Sequence, residues 1–193
     1  MAIINPSSNF GTVTIVGVGL IGASLGLALK KAGVVNRVLG VGRSAANLDQ
    51  ALKMGAIDAV VDLVEAAKQS DVIVLCMPVA QMRATFEVIE PHLESRTMIT
   101  DAGSTKGDVI LAAKEVLGKK ACQFVPAHPI AGGAQHGASA AKADLFEGKQ
   151  TILCPLQENS PQDTDLIEGF WQSVGSVVKK ISCVQHDAIY AAV

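Results

Sequence analysis

Charge is scarce in this chain and unevenly spread. Asp, Glu, Lys and Arg make up only 18% of the 193 residues, and none of them precedes Lys30. The formal net charge of −2 offers no electrostatic footprint for nucleic acid or an anionic membrane. Aromatic side chains are few as well. Five Phe, one Tyr and one Trp give too little flat surface to stack successive bases. Both scarcities argue against nucleic acid or a membrane as partner. Cysteine is limited to Cys76, Cys122, Cys154 and Cys183, with no C-x-x-C pair, and a chain of this length needs no disulfide staples. Free thiols in a reducing cytoplasm are expected, and no metal site.

The uncharged stretch 1–29 has the hydropathy of a membrane or signal segment, but no basic residue leads it. Gly17, Gly19, Gly22 and Gly26 interrupt it at turn and packing spacing. A buried parallel strand feeding a buried helix gives the same profile, so a soluble chain is expected. With 49% apolar residues there is enough core for one domain, or for one domain and a fragment of a second.

What is present is alternation. Strand patterns occur at 12–16, 38–41, 58–61, 72–76, 97–100, 123–125, 151–154 and 176–180. Helical patterns lie between them at 20–32, 45–54, 63–69, 81–89, 106–117, 138–143 and 161–174, the last with Leu166, Ile167, Phe170 and Trp171 as its apolar face. Gly33 is placed to end the first helix. Such alternation predicts an α/β fold of the Rossmann type: a doubly wound, mostly parallel sheet with helices on both faces.

Gly17-Val18-Gly19-Leu20-Ile21-Gly22 joins the first strand to the first helix, the context a dinucleotide-binding turn requires. Gly17 then permits the tight turn, Gly19 lets the backbone approach a pyrophosphate, and Gly22 lets helix pack on strand. The free N–H groups of Leu20 and Ile21 face the anion. The plainer alternative is an ordinary strand-to-helix turn. An acidic residue ending the second strand would accept from the ribose of NAD, but Gly42, Arg43 and Ser44 stand there. Gly42 leaves room, while the Arg43 fork and the Ser44 hydroxyl suit a 2′-phosphate. NADP is favoured over NAD, although glycine at this position admits both. Met77-Pro78-Val79 ends the fourth strand at the carboxyl edge of the sheet. It reads as a contact to the cofactor's ribose or nicotinamide half, or simply as the end of a strand.

Asp101-Ala102-Gly103-Ser104-Thr105-Lys106 follows the fifth strand. Gly103 turns the loop beside the cofactor. Ser104 either caps the next helix, as Thr105 would, or meets a substrate hydroxyl. Lys106 is expected on an exposed helix face. The strand at 123–125 runs into the loop His128-Pro129-Ile130-Ala131-Gly132-Gly133. A histidine on a loop at this edge is either a general base or structural. Gly132, Gly133 and Gln135 extend the candidate substrate contacts. His92 and His136 are expected in exposed loops, and His186-Asp187 as a pair at a helix N-terminus.

In this order and spacing, the first-turn glycines, the Asp101 to Lys106 run, His128-Pro129-Ile130-Ala131-Gly132 and His186-Asp187 resemble the prephenate/arogenate (cyclohexadienyl) dehydrogenases of tyrosine biosynthesis. The resemblance runs from about Thr12 onward, and the His-Pro-Ile-Ala-Gly run is its most specific element. It implies hydride transfer from the ring C4 of a small-molecule substrate to NADP or NAD, with loss of the ring carboxylate as CO₂. It also implies that His128 takes the proton of the 4-hydroxyl, and that Ser104 supports that hydroxyl and orients His128. Members continue past the residues matching His186-Asp187 into a helical dimerisation domain that supplies a further Ser/His stretch and a carboxylate-binding arginine. The sequence therefore reads as an arm at 1–11, a dinucleotide-binding domain at 12–182 and the start of a truncated helical domain at 183–193. Low turnover by this chain alone, and a homodimer at full length, are the expectations. The stretch Gly133-Ala134-Gln135-His136 lacks the acidic residue often found there, which leaves the keto or amino substrate open. A related NADP-dependent dehydrogenase or imine reductase of another small acid, or a non-catalytic nucleotide sensor, are the competing readings.

Calorimetric titration with NADP and NAD side by side is expected to show tighter binding of NADP. A clear preference for NAD removes the argument from Arg43 and Ser44.

Overall fold

The computed structural model describes residues 9–190. Most of the expected N-terminal arm, residues 1–8, and the end of the last helical run, residues 191–193, lie outside the described residues. Five strands form the main sheet: β1 (Thr12–Val16), β2 (Arg37–Val41), β3 (Ala59–Val60), β4 (Val72–Leu75) and β5 (Met98–Asp101). They run parallel in the order β3-β2-β1-β4-β5, with Val13 opposite both Val38 and Val72. The helices are α1 (Leu20–Ala32), α2 (Ala45–Lys53), α3 (Leu63–Gln69), α4 (Met82–Ile89), α5 (Gly107–Leu117), α6 (Pro161–Ser173) and α7 (Cys183–Tyr190).

Strand side chains alternate between faces, and here the alternation divides two cores. Val13, Ile15, Val72 and Val74 pack with α1, α2 and α6 on one side. Val16, Ile73 and Leu75 pack with α3, α4 and α5 on the other. The sheet is therefore wound on both faces, as the alternation of elements predicts. Strand order reverses at β1, so the helices that follow β1 and β4 lie on opposite faces and leave a crevice at the carboxyl edge. Gly33 ends α1 at φ 68°, donating to the Leu29 and Lys30 carbonyls. Ser160 and Asp163 form a reciprocal capping box at α6, with Pro161 in its first turn.

The last three strands depart from the expectation of one sheet. They form a separate one, in which β6 (Ala127–Pro129) is antiparallel to β7 (Gln150–Leu153) and β8 (Val177–Lys180) is parallel to β7. The stretch 123–125 is not a strand; it ends a 3₁₀ turn and makes one parallel bridge from Phe124 to Ile99. Pro126 has no N–H to continue that ladder, and the chain leaves the main sheet there. His128 consequently lies within a strand rather than in a loop. Other expectations also shift. The helix foreseen at 138–143 is a 3₁₀ turn at Ala138–Ala140, Leu166 is exposed, and His92 is half-buried. All four thiols are free, with Cys154 buried and the rest half-buried. No helix among the described residues is long and apolar enough to cross a membrane.

Trp171 ties α6 to the main sheet. It is fully buried, meets Phe146 and Phe170 edge-on, and its Nε1 lies 3.5 Å from Thr100 Oγ1 of β5. Trp171→Ala is expected to cost about 3–5 kcal/mol by urea unfolding, because the cavity it leaves cannot close without moving both.

Candidate active site

Two recesses open at the carboxyl edge. The larger, about 420 Å³, is lined by Gly17 and Gly19 after β1, by Gly42, Arg43 and Ser44 after β2, and by Cys76, Met77 and Pro78 after β4. Gly17 has φ 97°, and a Cβ there would stand 2.7 Å from the Cys76 carbonyl carbon and the Met77 nitrogen. Only glycine lets the turns after β1 and β4 approach this closely. A Cβ at Gly22 would strike Ile15 Cγ2 at 2.7 Å, so glycine is what seats α1 on β1. A Cβ at Gly19 would meet nothing and would project into open space. No side chain caps α1, so the first amides of the helix, those of Leu20 and Ile21 included, have no intrahelical acceptor. This cradle fits a pyrophosphate.

Arg43 is exposed, and no carboxylate lines this cavity among the described residues. The Ser44 hydroxyl accepts from the Asn47 amide at 3.2 Å as the cap of α2, and keeps its proton to donate. Burial and the charge of Asp101 push the Cys76 thiol well up, which leaves it protonated and a poor nucleophile. Val79 and Gly103 line neither recess. A Cβ at Gly103 would meet Val79 Cγ2 and Asp101 Oδ2 at 2.8 Å.

The second recess, about 370 Å³, is lined by Ser104, His128, Pro129, Ile130, Ala131, Gly132 and Tyr190. In β6, Ala127 and Pro129 are buried while His128 is turned half-way out. Ser104 is exposed, and neither it nor Thr105 caps α5. Asp187 of α7 does so instead, accepting from the amides of Lys106 at 2.9 Å and Gly107 at 2.8 Å. The His128 ring is held by His186, with Nδ1 and Nε2 2.9 Å apart, rather than by Ser104. Gly133, Gln135 and His136 are exposed and line neither recess.

Lys106 is the largest departure from expectation. It is fully buried, not on an exposed helix face. Its ammonium pairs with Asp101 and donates to the Ala127 carbonyl at 2.8 Å. Asp101 in turn accepts the Gly103 and Ala127 amides, each at 2.9 Å. The Ala127 N–H, cut off from the β5 ladder by Pro126, is thus satisfied by a side chain. An aspartate ending a buried strand with a lysine five residues on, across a glycine, was the signal for this pair. His186, fully buried, and Tyr190 are the other members that sequence reasoning left out of the site. Their i, i+4 spacing puts them on one face of α7.

Burial, and after it the Lys106 ammonium, hold the His128 pKa down to about 4, against the upward pull of Asp187. His128 is therefore uncharged near neutral pH and offers a lone pair.

The family described as the prephenate dehydrogenase nucleotide-binding domain matches residues 25–180. A prephenate dehydrogenase of Bacillus subtilis is 33% identical over 94% of this chain and 49% of its own length. A cyclohexadienyl dehydrogenase of Zymomonas mobilis is 31% identical over 94% of this chain and 62% of its own. Among solved structures, a prephenate dehydrogenase of Aquifex aeolicus in complex with hydroxyphenyl propionate and NAD+ superposes with a TM-score of 0.88 at 30% identity. That match covers 95% of this chain and 64% of the other. An arogenate dehydrogenase of Synechocystis gives 0.84 at 27%, covering 92% and 62%. The chain spans about half the length of the Bacillus relative.

The depressed pKa makes a stability prediction with a definite sign. The unfolded chain takes up a proton on His128 near pH 6.5, and the folded protein does so only near pH 4. The stabilisation is complete above 6.5 and is lost as pH falls toward 4. Asp187, whose pKa is lowered, loses its own contribution only below 3.8. The thermal midpoint is expected to fall less steeply between pH 7 and 4 in His128→Asn than in the wild type; parallel curves would contradict this.

Proposed function

The chain belongs to the prephenate dehydrogenase family, and on that premise we propose that it binds a nicotinamide dinucleotide and serves the oxidative decarboxylation of arogenate or prephenate. The observation that carries this reading is an uncharged His128 in one recess with Ser104, at the same sheet edge as the glycine cradle. NADP is preferred over NAD, a choice supported by Arg43 and Ser44 at the cavity wall and the lack of a carboxylate there among the described residues. A bound nicotinamide supplies the hydride acceptor.

The chain's own residues then have three tasks. The glycine turn and the start of α1 hold the pyrophosphate. The Ser104 hydroxyl supports the substrate's 4-hydroxyl. His128 takes the proton of that hydroxyl as hydride leaves C4 and the ring carboxylate departs as CO₂, so that proton, hydride and carboxylate are each accounted for. Aromatisation of the ring drives the step. Assembly as a homodimer is part of the proposal, supported by the apolar Val184 and Ile189 that α7 leaves exposed.

Turnover of arogenate and prephenate, followed as reduced nicotinamide by absorbance, is expected to fall about a thousandfold in His128→Asn with cofactor affinity unchanged. Unchanged turnover would make His128 structural and sink this reading.

A further inference from the structure

A neutral imidazole has two tautomers, and a base acting through Nε2 needs the proton on Nδ1. The hydrogen bonds around His128 decide between them. Asp187 Oδ1 lies 2.8 Å from His186 Nδ1, and the same carboxylate accepts the Lys106 and Gly107 amides. Those three donors outweigh burial, which would raise its pKa, and keep the carboxylate ionised. A carboxylate in that state only accepts, so His186 Nδ1 donates. The Nε2 of a neutral His186 is then a bare acceptor, and it lies 2.9 Å from His128 Nδ1. His128 Nδ1 must therefore donate, which leaves the lone pair on Nε2. The opposite arrangement would require His186 to donate from both nitrogens, as a fully buried cation.

We propose that His186, anchored by Asp187, is a positioning residue that locks His128 in its Nδ1–H tautomer and so places the base lone pair on Nε2. The consequence for turnover rests on the reading of His128 as proton acceptor; the tautomer does not. His186 has no solvent contact, so water does not compete for the bond. Tyr190 braces both rings, with centroids 5.2 Å from His186 and 5.8 Å from His128. Asp187 is also what starts α5, so the relay and the Ser104 loop share one anchor.

Nitrogen-15 NMR of histidine-labelled protein at neutral pH reads the ring nitrogens without substrate or turnover, with His128 assigned from its loss in His128→Asn. The wild type is expected to show a protonated Nδ1 and a bare Nε2. In Asp187→Asn the new amide donates to His186 Nδ1, His186 donates from Nε2, and the His128 proton moves to Nε2. Its kcat falls about a hundredfold with KM unchanged. His186→Gln, whose amide oxygen accepts from His128 Nδ1, keeps the tautomer and most of kcat, while His186→Leu loses both. A wild-type His128 protonated at Nε2, or the same His128 tautomer in Asp187→Asn, overturns the proposal. The expected tautomers together with unchanged turnover in His128→Asn would uphold the relay and overturn the functional reading instead.

Discussion

A carboxylate and an ammonium without solvent contact hold the carboxyl edge of this molecule together. Removing Asp101 and Lys106 from water costs on the order of several kcal/mol per ion, and their attraction offsets this only if every remaining polar atom finds a partner. That condition is met. Asp101 takes two backbone amides besides the ammonium, and Lys106 takes the Ala127 carbonyl. Ala127 is thereby gripped through both its N–H and its C=O, which fixes where His128, one residue on, can stand. The same ammonium helps keep His128 uncharged. One ion pair thus sets the place of the imidazole and adds to the effect of its burial on the protonation state. Among the described residues no buried side-chain nitrogen or oxygen lacks a hydrogen-bond partner, so the pair is not held at the expense of a neighbour.

The parts of the fold written in local pattern were legible in the sequence. β-branched Thr12 to Val16, the glycine turn, and a helix closed by Gly33 follow from residue types within a few positions of one another. The same holds for Gly22 of the cradle, which is required where α1 packs back on β1, while Gly17 is required as well by the distant turn after β4. What was not legible depends on pairings far apart in the chain. Lys106 reads as a surface lysine until Asp101 and Ala127 are placed around it. His186 reads as half of a helix-start pair until β6 brings His128 to it across 58 positions. The stretch 123–125 does not form a strand for a local reason: one proline, Pro126, lacks the donor that a sixth parallel strand would need.

The two recesses are built from different kinds of structure. The larger has glycine turns that bring main chain near a ligand, apolar walls that include Val18, Leu48 and Met77, and one exposed arginine at the rim. Side chains on three separate elements build the smaller: the loop after β5, strand β6 and helix α7. Backbone cradles tolerate substitution at positions where a side chain points away. A constellation of side chains does not, since each member is placed by a different part of the fold.

Asp187 gives this division a mechanical meaning. Its carboxylate bridges roughly eighty residues, with Oδ1 shared between the Lys106 amide and the His186 ring and Oδ2 on the Gly107 amide. The glycine cradle takes nothing from α7. A single nick in the backbone between Lys180 and Cys183 would therefore leave the nucleotide cleft standing, while the proposed proton acceptor lost its tether and α5 its first turn's cap. The cleft proposed for the nucleotide and the imidazole proposed as proton acceptor thus rest on different parts of one chain, joined by a latch one carboxylate wide.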